Sequence, residues 1–196
     1  MTRFYLLRHG STDDLGVRIS GCSSVSLDAR GECEAARLAE RMATIGIDAL
    51  YTSPITRARQ TADALARALK LEPLVCDALA ELRFGDWAHQ TLLDLDRDER
   101  FERFNRFRSG TRIPNGETML DVQARAVAEL LRLRDLHVEE TLALVSHGDV
   151  IKAIVLYVLG MSLDLVARIE IAPASISCVD LDADGVRLQC LNASVE

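Results

Sequence analysis

Short apolar runs alternate along the chain with longer segments in which apolar residues recur at helical spacing. The runs predict buried strands at residues 4–8, 49–52, 74–76 and 141–146. The longer segments predict helices from the cap Asp28 to about Gly46, from Pro54 to about Lys70, and over residues 119–133 and 149–159. Strands and helices in this alternation form a mostly parallel sheet with helices on both faces. We therefore expect an α/β fold, a three-layer α/β/α sandwich.

The final part of the chain has a different pattern. Residues 168–171, 175–181 and 186–191 predict three more strands, and the turn over residues 182–185 makes the last two a hairpin at the sheet edge. The sequence has no internal repeat and no linker, and its 196 residues are enough for one core. We expect a single domain over residues 1–196.

A charge-rich segment between Trp87 and Pro114 differs from the rest of the chain. Its acidic and basic residues are interleaved with Phe101, Phe104 and Phe107. One interpretation is a solvated helix that rests on its phenylalanine edge, and the other is a cap over an active site. We treat residues 88–114 as a small, helical, cap-like insertion in the domain.

Composition and charge exclude several classes of partner. The 23 basic and 30 acidic residues give a net charge of −7 without a basic block, so we expect no nucleic-acid partner. The apolar run at residues 4–7 is too short for a signal peptide, and the run at residues 153–159 is too short to cross a bilayer. Five cysteines without a CxxC pair fit reduced thiols better than a disulfide framework. We expect a cytoplasmic protein with no membrane partner.

Two histidines follow predicted strands directly. Arg8-His9-Gly10 ends the first strand, and Ser146-His147-Gly148 ends a later one. Ligands of open α/β sheets bind at the carboxyl ends of the strands. A histidine beside an arginine, backed by a glycine that lets a ligand approach the backbone, suits phosphate chemistry. Taken alone, either histidine also fits a structural role.

The sequence does not match several other common motifs, and the mismatches can be located at particular residues. Gly16 and Gly21 have the glycine spacing of a P-loop, but Cys22-Ser23 follows them where a phosphate-neutralising lysine is needed. The sequence contains no GxGxxG, HExxH or GxSxG. The arginine beside His9 would repel a cation, so we expect no metal site.

Five short motifs occur together in a recognisable order. They are Leu7-Arg8-His9-Gly10, the segment SPITRARQTA at 53–62, the segment ELRFGDW at 81–87, Asn115-Gly116-Glu117-Thr118, and Val145-Ser146-His147-Gly148. Together they resemble the histidine phosphatase superfamily, which includes cofactor-dependent phosphoglycerate mutases. The resemblance extends from about residue 3 to residue 190. Within the superfamily, chain length and the Phe84–Trp87 motif are most similar to short α-ribazole phosphatase-like and broad-specificity members.

The resemblance implies roles for five residues. His9 would be the nucleophile that accepts the phosphoryl group. Arg8, Arg57 and His147 would hold the phosphoryl oxygens, and Glu81 would be the proton donor. It also implies that Arg59, two residues beyond Arg57, is a charge on the helix surface.

The sequence departs from the family pattern after the first motif. Ser11 replaces a common Glu or Gln, and Leu15 stands where an Asn is common. We expect other groups to contact the substrate, namely Gly10, Ser11, Thr12, Ser23 and Gly148. His89 occupies a place where a glycine is common, and both a pocket position and a surface position fit it.

The chemistry of phosphate monoesters explains why such residues would be needed. Two arginines with a protonated His147 would neutralise the phosphate dianion. His9 would attack as neutral imidazole, with its other ring nitrogen donating most simply to a backbone carbonyl. Glu81, kept protonated by anionic surroundings, would protonate the leaving alkoxide and later activate water. This chemistry requires neither a metal nor an organic cofactor.

We therefore expect a phosphomonoesterase that hydrolyses a small phosphorylated metabolite through a phosphohistidine intermediate. The main alternative is a phosphoglycerate mutase, which returns the phosphoryl group to a second hydroxyl. A non-catalytic module that binds phosphorylated ligands is the third hypothesis. A module without chemistry has no need to keep His9 and Glu81, and this chain has both.

Overall fold

The computed structural model describes residues 1–195. The strands are β1 (Thr2–Arg8), β2 (Ala49–Thr52), β3 (Pro73–Val75), β4 (Thr141–Ser146), β5 (Ile176–Leu181) and β6 (Val186–Ala193). The α-helices are α1 (Ala29–Met42), α2 (Thr56–Leu69), α3 (Leu92–Leu95), α4 (Glu99–Arg106), α5 (Met119–Leu136) and α6 (Gly148–Val158). Short 3-10 helices cover 77–79, 85–87 and 163–168. None of the helices within residues 1–195 has the length and apolar character needed to cross a membrane.

All six strands form one sheet in the order β3-β2-β4-β1-β5-β6. The four strands from β3 to β1 are parallel, whereas β5 runs antiparallel to β1 and pairs with the edge strand β6 in a hairpin. This confirms the mostly parallel sheet and the hairpin. In the β1–β4 pair Arg8 lies opposite Ser146. The residues that follow, His9 and His147, therefore leave the same edge of the sheet side by side.

Each face of the sheet has its own apolar core. Phe4 and Leu6 of β1 belong to a core with buried residues of α5 and α6, whereas Leu7 belongs to a second core with α1 and α2. Successive side chains of a strand point to opposite faces, which accounts for this division. The helices therefore cover both faces, and the expected three-layer α/β/α sandwich is confirmed.

Two predicted helix boundaries were wrong. Helix α1 has its expected cap, since the Asp28 carboxylate accepts a hydrogen bond from Gly31 N, but it ends at Met42 instead of near Gly46. Helix α2 begins at Thr56 instead of Pro54, because Ile55 is extended and its N–H is taken by the Ser53 hydroxyl.

The predicted strand at residues 168–171 does not form. Here backbone groups pair with side chains instead of a strand ladder, as Ile171 O accepts from Arg8 and Ala172 N donates to Asn192 Oδ1.

The charged segment packs on its aromatic edge. Phe101 and Phe104 of α4 are buried, with ring centroids 5.3 and 5.5 Å from that of the buried Trp87. Phe107 is 48% exposed. A solvated helix resting on phenylalanines therefore describes this part of the chain.

Candidate active site

His9 begins the loop between β1 and α1, and close packing fixes this loop. A Cβ on Gly10 would lie 2.4 Å from Gly31 O at the start of α1, so only glycine fits there. The His9 ring is buried, and its Nδ1 lies 2.7 Å from Gly10 O. Because that carbonyl only accepts, Nδ1 carries the proton and Nε2 carries the electron pair.

Arg57 in the first turn of α2 joins the two histidines. Its Nε–H donates to His9 Nε2 at 3.0 Å, and its Nη2–H donates to His147 Nδ1 at 3.2 Å. The carbonyl oxygens of Gly21 and Ser23 accept from the same guanidinium, at 2.7 and 3.3 Å. Burial together with the charges of Arg57 and Arg8 holds the pKa of His9 well below its ordinary value. His9 is therefore neutral, which is the form of imidazole that can act as a nucleophile.

His147 is fully buried behind His9, with the two ring centroids 5.0 Å apart. Its Nδ1 accepts from Arg57, so Nε2 carries the proton and donates to Ser53 Oγ at 2.7 Å. Burial, the neighbouring His9 and Arg57 hold the pKa of His147 well below its ordinary value. Its ring is therefore neutral among the protein groups that contact it, and a protonated His147 stays a prediction for the ring facing a phosphoryl dianion.

Arg8, at the end of β1, has a donor without a partner. Its Nη1 donates to Ile171 O, but its Nε is buried and has no hydrogen-bond partner among residues 1–195. Gly148, the first residue of α6, packs beside this guanidinium, and a Cβ there would lie 3.6 Å from Arg8 Cζ. A buried N–H without a partner is costly, and an anion's oxygen would satisfy it.

Glu81 lies on a loop that a partly buried ion pair supports. Arg125 donates to the carbonyl oxygens of Ala78 and Glu81, at 2.6 and 3.2 Å, and pairs with Glu117 at 3.2 Å. Burial and the negative charge of Asp149 raise the pKa of Glu81 to about 7. The carboxyl group can therefore hold or release a proton near neutral pH.

These side chains meet at a cavity of about 220 Å³. Four of the five residues expected to be catalytic line it, namely Arg8, His9, Arg57 and Glu81. The fifth, His147, lies directly behind Arg57 and His9. Within residues 1–195, no three His, Cys, Asp or Glu side chains are grouped closely enough to hold a metal ion.

Residues 4–194 match the model of the histidine phosphatase superfamily, branch 1. The chain belongs to this superfamily. A protein named probable phosphoglycerate mutase GpmB, from Shigella boydii serotype 18, is 34% identical over 184 residues, which cover 92% of this chain and 85% of that protein.

Two solved structures of phosphatases have closely similar folds. A mycobacterial glucosyl-3-phosphoglycerate phosphatase has a TM-score of 0.88 and 27% identity, over 98% of this chain and 99% of that chain. Phosphoserine phosphatase from Entamoeba histolytica, solved with 3-phosphoglyceric acid, has a TM-score of 0.90 and 26% identity, over 99% of this chain and 98% of that chain.

Of the further substrate contacts expected for this histidine phosphatase, Thr12 and Gly148 line the cavity. Gly10, Ser11 and Ser23 do not. Ser11 binds Glu34 through both its N–H and its hydroxyl, and the Ser23 hydroxyl donates to Ser20 O. Because these hydroxyls are already engaged, the two serines shape the loop without facing the cavity.

Several other residues of the histidine phosphatase also line the cavity, and sequence reasoning missed them. They are Asp14, Leu15, Gly16, Arg18, Ile19, Ser20, Gly21, Phe84, Asp149 and Lys152. Asp149 and Lys152 had a usable signal, since they follow Ser146-His147-Gly148 on one helix. His89, by contrast, is exposed and lines no part of the cavity.

A second cavity of the histidine phosphatase, of about 630 Å³, lies next to the first. Its lining includes Cys22, Asp77, Arg83, Glu117 and Arg125, and it shares Glu81 with the smaller cavity. The Cys22 thiol donates to Glu81 O at 3.2 Å. Glu81 therefore lies between two spaces that differ in size.

Proposed function

We propose that this protein hydrolyses the phosphomonoester of a small metabolite through a phosphohistidine on His9. The observation that carries the proposal is the hydrogen bond from His9 Nδ1 to Gly10 O, which leaves the Nε2 electron pair at a cavity lined by Arg8 and Arg57. A neutral imidazole beside two guanidinium groups has both the nucleophile and the charge that phosphoryl transfer needs. We place this reaction in the cytoplasm, with no nucleic-acid or membrane partner.

In the first step, the phosphoryl oxygens bind Arg8 and Arg57. The unpartnered Arg8 Nε–H gains an acceptor, and the Arg57 Nε–H turns from His9 Nε2 to an oxygen, which frees the electron pair. His9 Nε2 then bonds to phosphorus as the bond to the leaving oxygen breaks. Glu81 gives its proton to that oxygen, so an alcohol leaves.

In the second step, the Glu81 carboxylate takes a proton from water as the water oxygen bonds to phosphorus. The bond between phosphorus and His9 breaks, and inorganic phosphate leaves. His147 orients Arg57 throughout, through the contact between Nδ1 and Nη2. A phosphoryl dianion raises the pKa of His147, since an opposite charge favours the protonated ring.

The insertion at residues 88–114 supports one wall of the cavity in this proposal. Three backbone hydrogen bonds join the insertion to the loop after β1. Ile19 N donates to Gln90 O at 3.0 Å, His89 N donates to Ile19 O at 2.8 Å, and Leu92 N donates to Val17 O at 2.9 Å. These bonds hold the loop at residues 14–21, which lines the cavity. No residue of the insertion lines either cavity at Glu81. The insertion therefore acts as a support and leaves the cavity open to water.

A phosphoglycerate mutase is the second candidate, because the relative from Shigella boydii has that name. A mutase must hold and turn a bisphosphate in a closed, water-poor site. The open cavity and the alternating charges of the insertion favour hydrolysis instead. The test supplies 3-phosphoglycerate with catalytic 2,3-bisphosphoglycerate and follows both 2-phosphoglycerate and free phosphate.

We expect free phosphate to be the main product and to depend on His9. Rapid formation of 2-phosphoglycerate with negligible phosphate would contradict hydrolysis and support the mutase. A panel of other phosphomonoesters, with His9→Ala as the control, separates a poor choice of substrate from a lack of phosphatase activity. Phosphate release at the same rate from the wild type and from His9→Ala would refute the proposal.

A further inference from the structure

Lys152 lies one turn of α6 beyond Gly148. Residues four apart in a helix lie on the same face, with Cβ atoms about 6 Å apart. Gly148 packs beside the guanidinium of Arg8, and both Gly148 and Lys152 line the smaller cavity. The half-buried Lys152 side chain therefore borders the place where the phosphoryl group would bind.

The other charged residues around this outer part of the cavity have partners. Asp14 accepts from the Ser20 hydroxyl at 2.8 Å and lies 4.0 Å from Arg18, which in turn donates to His89 O at 3.2 Å. Asp149 lies 3.7 Å from Arg108.

Lys152 is the exception. It makes no ion pair and no side-chain hydrogen bond with any of residues 1–195. If Arg8 and Arg57 neutralise a phosphoryl dianion, Lys152 is the positive charge that remains without a partner.

We propose that Lys152 binds a carboxylate of the substrate, so that the substrate is a phosphorylated hydroxy acid and not the phosphate of a neutral alcohol. This inference rests on the proposed function. One ammonium group matches the single charge of a carboxylate better than the double charge of a second phosphate. The ring of Phe84, which also lines the cavity, gives the short carbon chain between the two anionic groups an apolar wall.

The test compares 3-phosphoglycerate with glycerol 3-phosphate, which differ only in a carboxylate against a hydroxymethyl group. We expect the wild type to favour 3-phosphoglycerate in kcat/KM by about tenfold to a hundredfold, the usual contribution of a charge-assisted hydrogen bond. Lys152→Met keeps the apolar stem of the side chain and removes the charge. In this variant the ratio should fall towards one, through a higher KM for 3-phosphoglycerate, and Lys152→Arg should restore part of it.

Lys70→Met is the matched control, since Lys70 is the other lysine of the chain and is exposed at the end of α2. This variant should leave kcat/KM unchanged for both substrates. The inference is overturned if the wild type does not distinguish the two substrates, or if Lys152→Met weakens both equally, which would make Lys152 a phosphoryl ligand. It is also overturned if a bisphosphate depends on Lys152 more strongly than 3-phosphoglycerate does.

Calorimetric binding of both compounds to His9→Ala measures the same preference without turnover. If binding of 3-phosphoglycerate depends on Lys152 but the wild type hydrolyses no phosphomonoester, the inference is supported and the proposed function is refuted.

Discussion

At the scale of single residues, the Arg57 guanidinium is bound by neutral groups and forms no ion pair with a carboxylate of residues 1–195. Arg57 is 3% exposed, and its guanidinium is held by two histidine nitrogens and two carbonyl oxygens. Burial lowers the pKa of Arg57, and the largest effect that raises it is the negative charge of Glu81. A phosphate dianion would therefore meet donors that are already oriented, which is the arrangement that stabilises a transition state efficiently.

Arg57→Ala should lower kcat/KM about 10²- to 10³-fold, the usual effect of removing one charge-stabilising donor. The matched control is Arg59→Ala, two residues further along α2, where the side chain is exposed. Steady-state kinetics with one phosphomonoester should show at most about a twofold change for this control. Equal losses from both variants would mean that the contacts of Arg57 have no special role in the reaction.

The raised pKa of Glu81 predicts the pH dependence of the acid step. The carboxyl must be protonated to donate, so kcat/KM for an alkyl phosphate should fall as pH rises above about 7. Asp149→Asn removes a like charge that raises the pKa of Glu81, so the alkaline limb should move to lower pH. The measurement is a pH profile of both proteins.

p-Nitrophenyl phosphate is the control substrate, because its phenolate leaves without help from an acid. Its phosphorylation rate should lack this alkaline limb. An alkaline limb that stays at the same pH in Asp149→Asn would argue against Glu81 as the group that titrates.

At the scale of secondary-structure elements, periodicity predicted most of the sheet and its covering helices. Strands β2 and β4 have the predicted bounds, because continuous apolar runs of that length are typical of strands buried on both faces. The prediction of a strand at residues 168–171 was wrong for a physical reason. Ile169 and Ile171 are buried like strand residues, but Arg8 and Asn192, both distant in sequence, take the backbone groups that a ladder would use.

The candidate site could be predicted where residues follow strands, and less well in its loops. The proximity of His9 and His147 could be predicted, because each directly follows a parallel strand and the carboxyl ends of parallel strands meet at one edge of the sheet. Ser11 and Ser23 could not be judged from the sequence, because their partners Glu34 and Ser20 O are chosen by the fold of the loop. Lys152 faces the cavity only because α6 turns that side of the helix towards Arg8.

The packing of α4 gives a prediction at this scale. Phe104→Ala should lower the free energy of unfolding by about 3–5 kcal/mol, since it removes a fully buried ring beside Trp87. Below the unfolding transition, kcat/KM should fall less than about tenfold, because α4 lines neither cavity.

Urea denaturation and kinetics at low temperature measure the two effects of Phe104→Ala. Phe107→Ala, at a half-exposed ring, is the control and should cost at most about 1 kcal/mol. A stable Phe104→Ala protein that has lost most of its activity would show that the insertion acts on the substrate directly.

At the scale of the whole molecule, a chain of net charge −7 places four cationic side chains around one cavity, which three acidic side chains also line. The guanidinium and ammonium groups repel metal ions, and no three His, Cys, Asp or Glu side chains within residues 1–195 form a group that could hold one. Phosphatase activity should therefore change by less than about twofold after dialysis against EDTA. Activity that is lost in EDTA and restored by a divalent cation would contradict this prediction.

The formation of a phosphohistidine is the central claim, and rapid quenching with labelled substrate tests it most directly. Within one turnover, the wild type should form an adduct that is labile in acid and stable in base, and peptide mapping should place it on His9. The adduct should disappear as free phosphate is released, and His9→Ala should form none. An adduct on another residue, or turnover by His9→Ala at close to the wild-type rate, would contradict the claim.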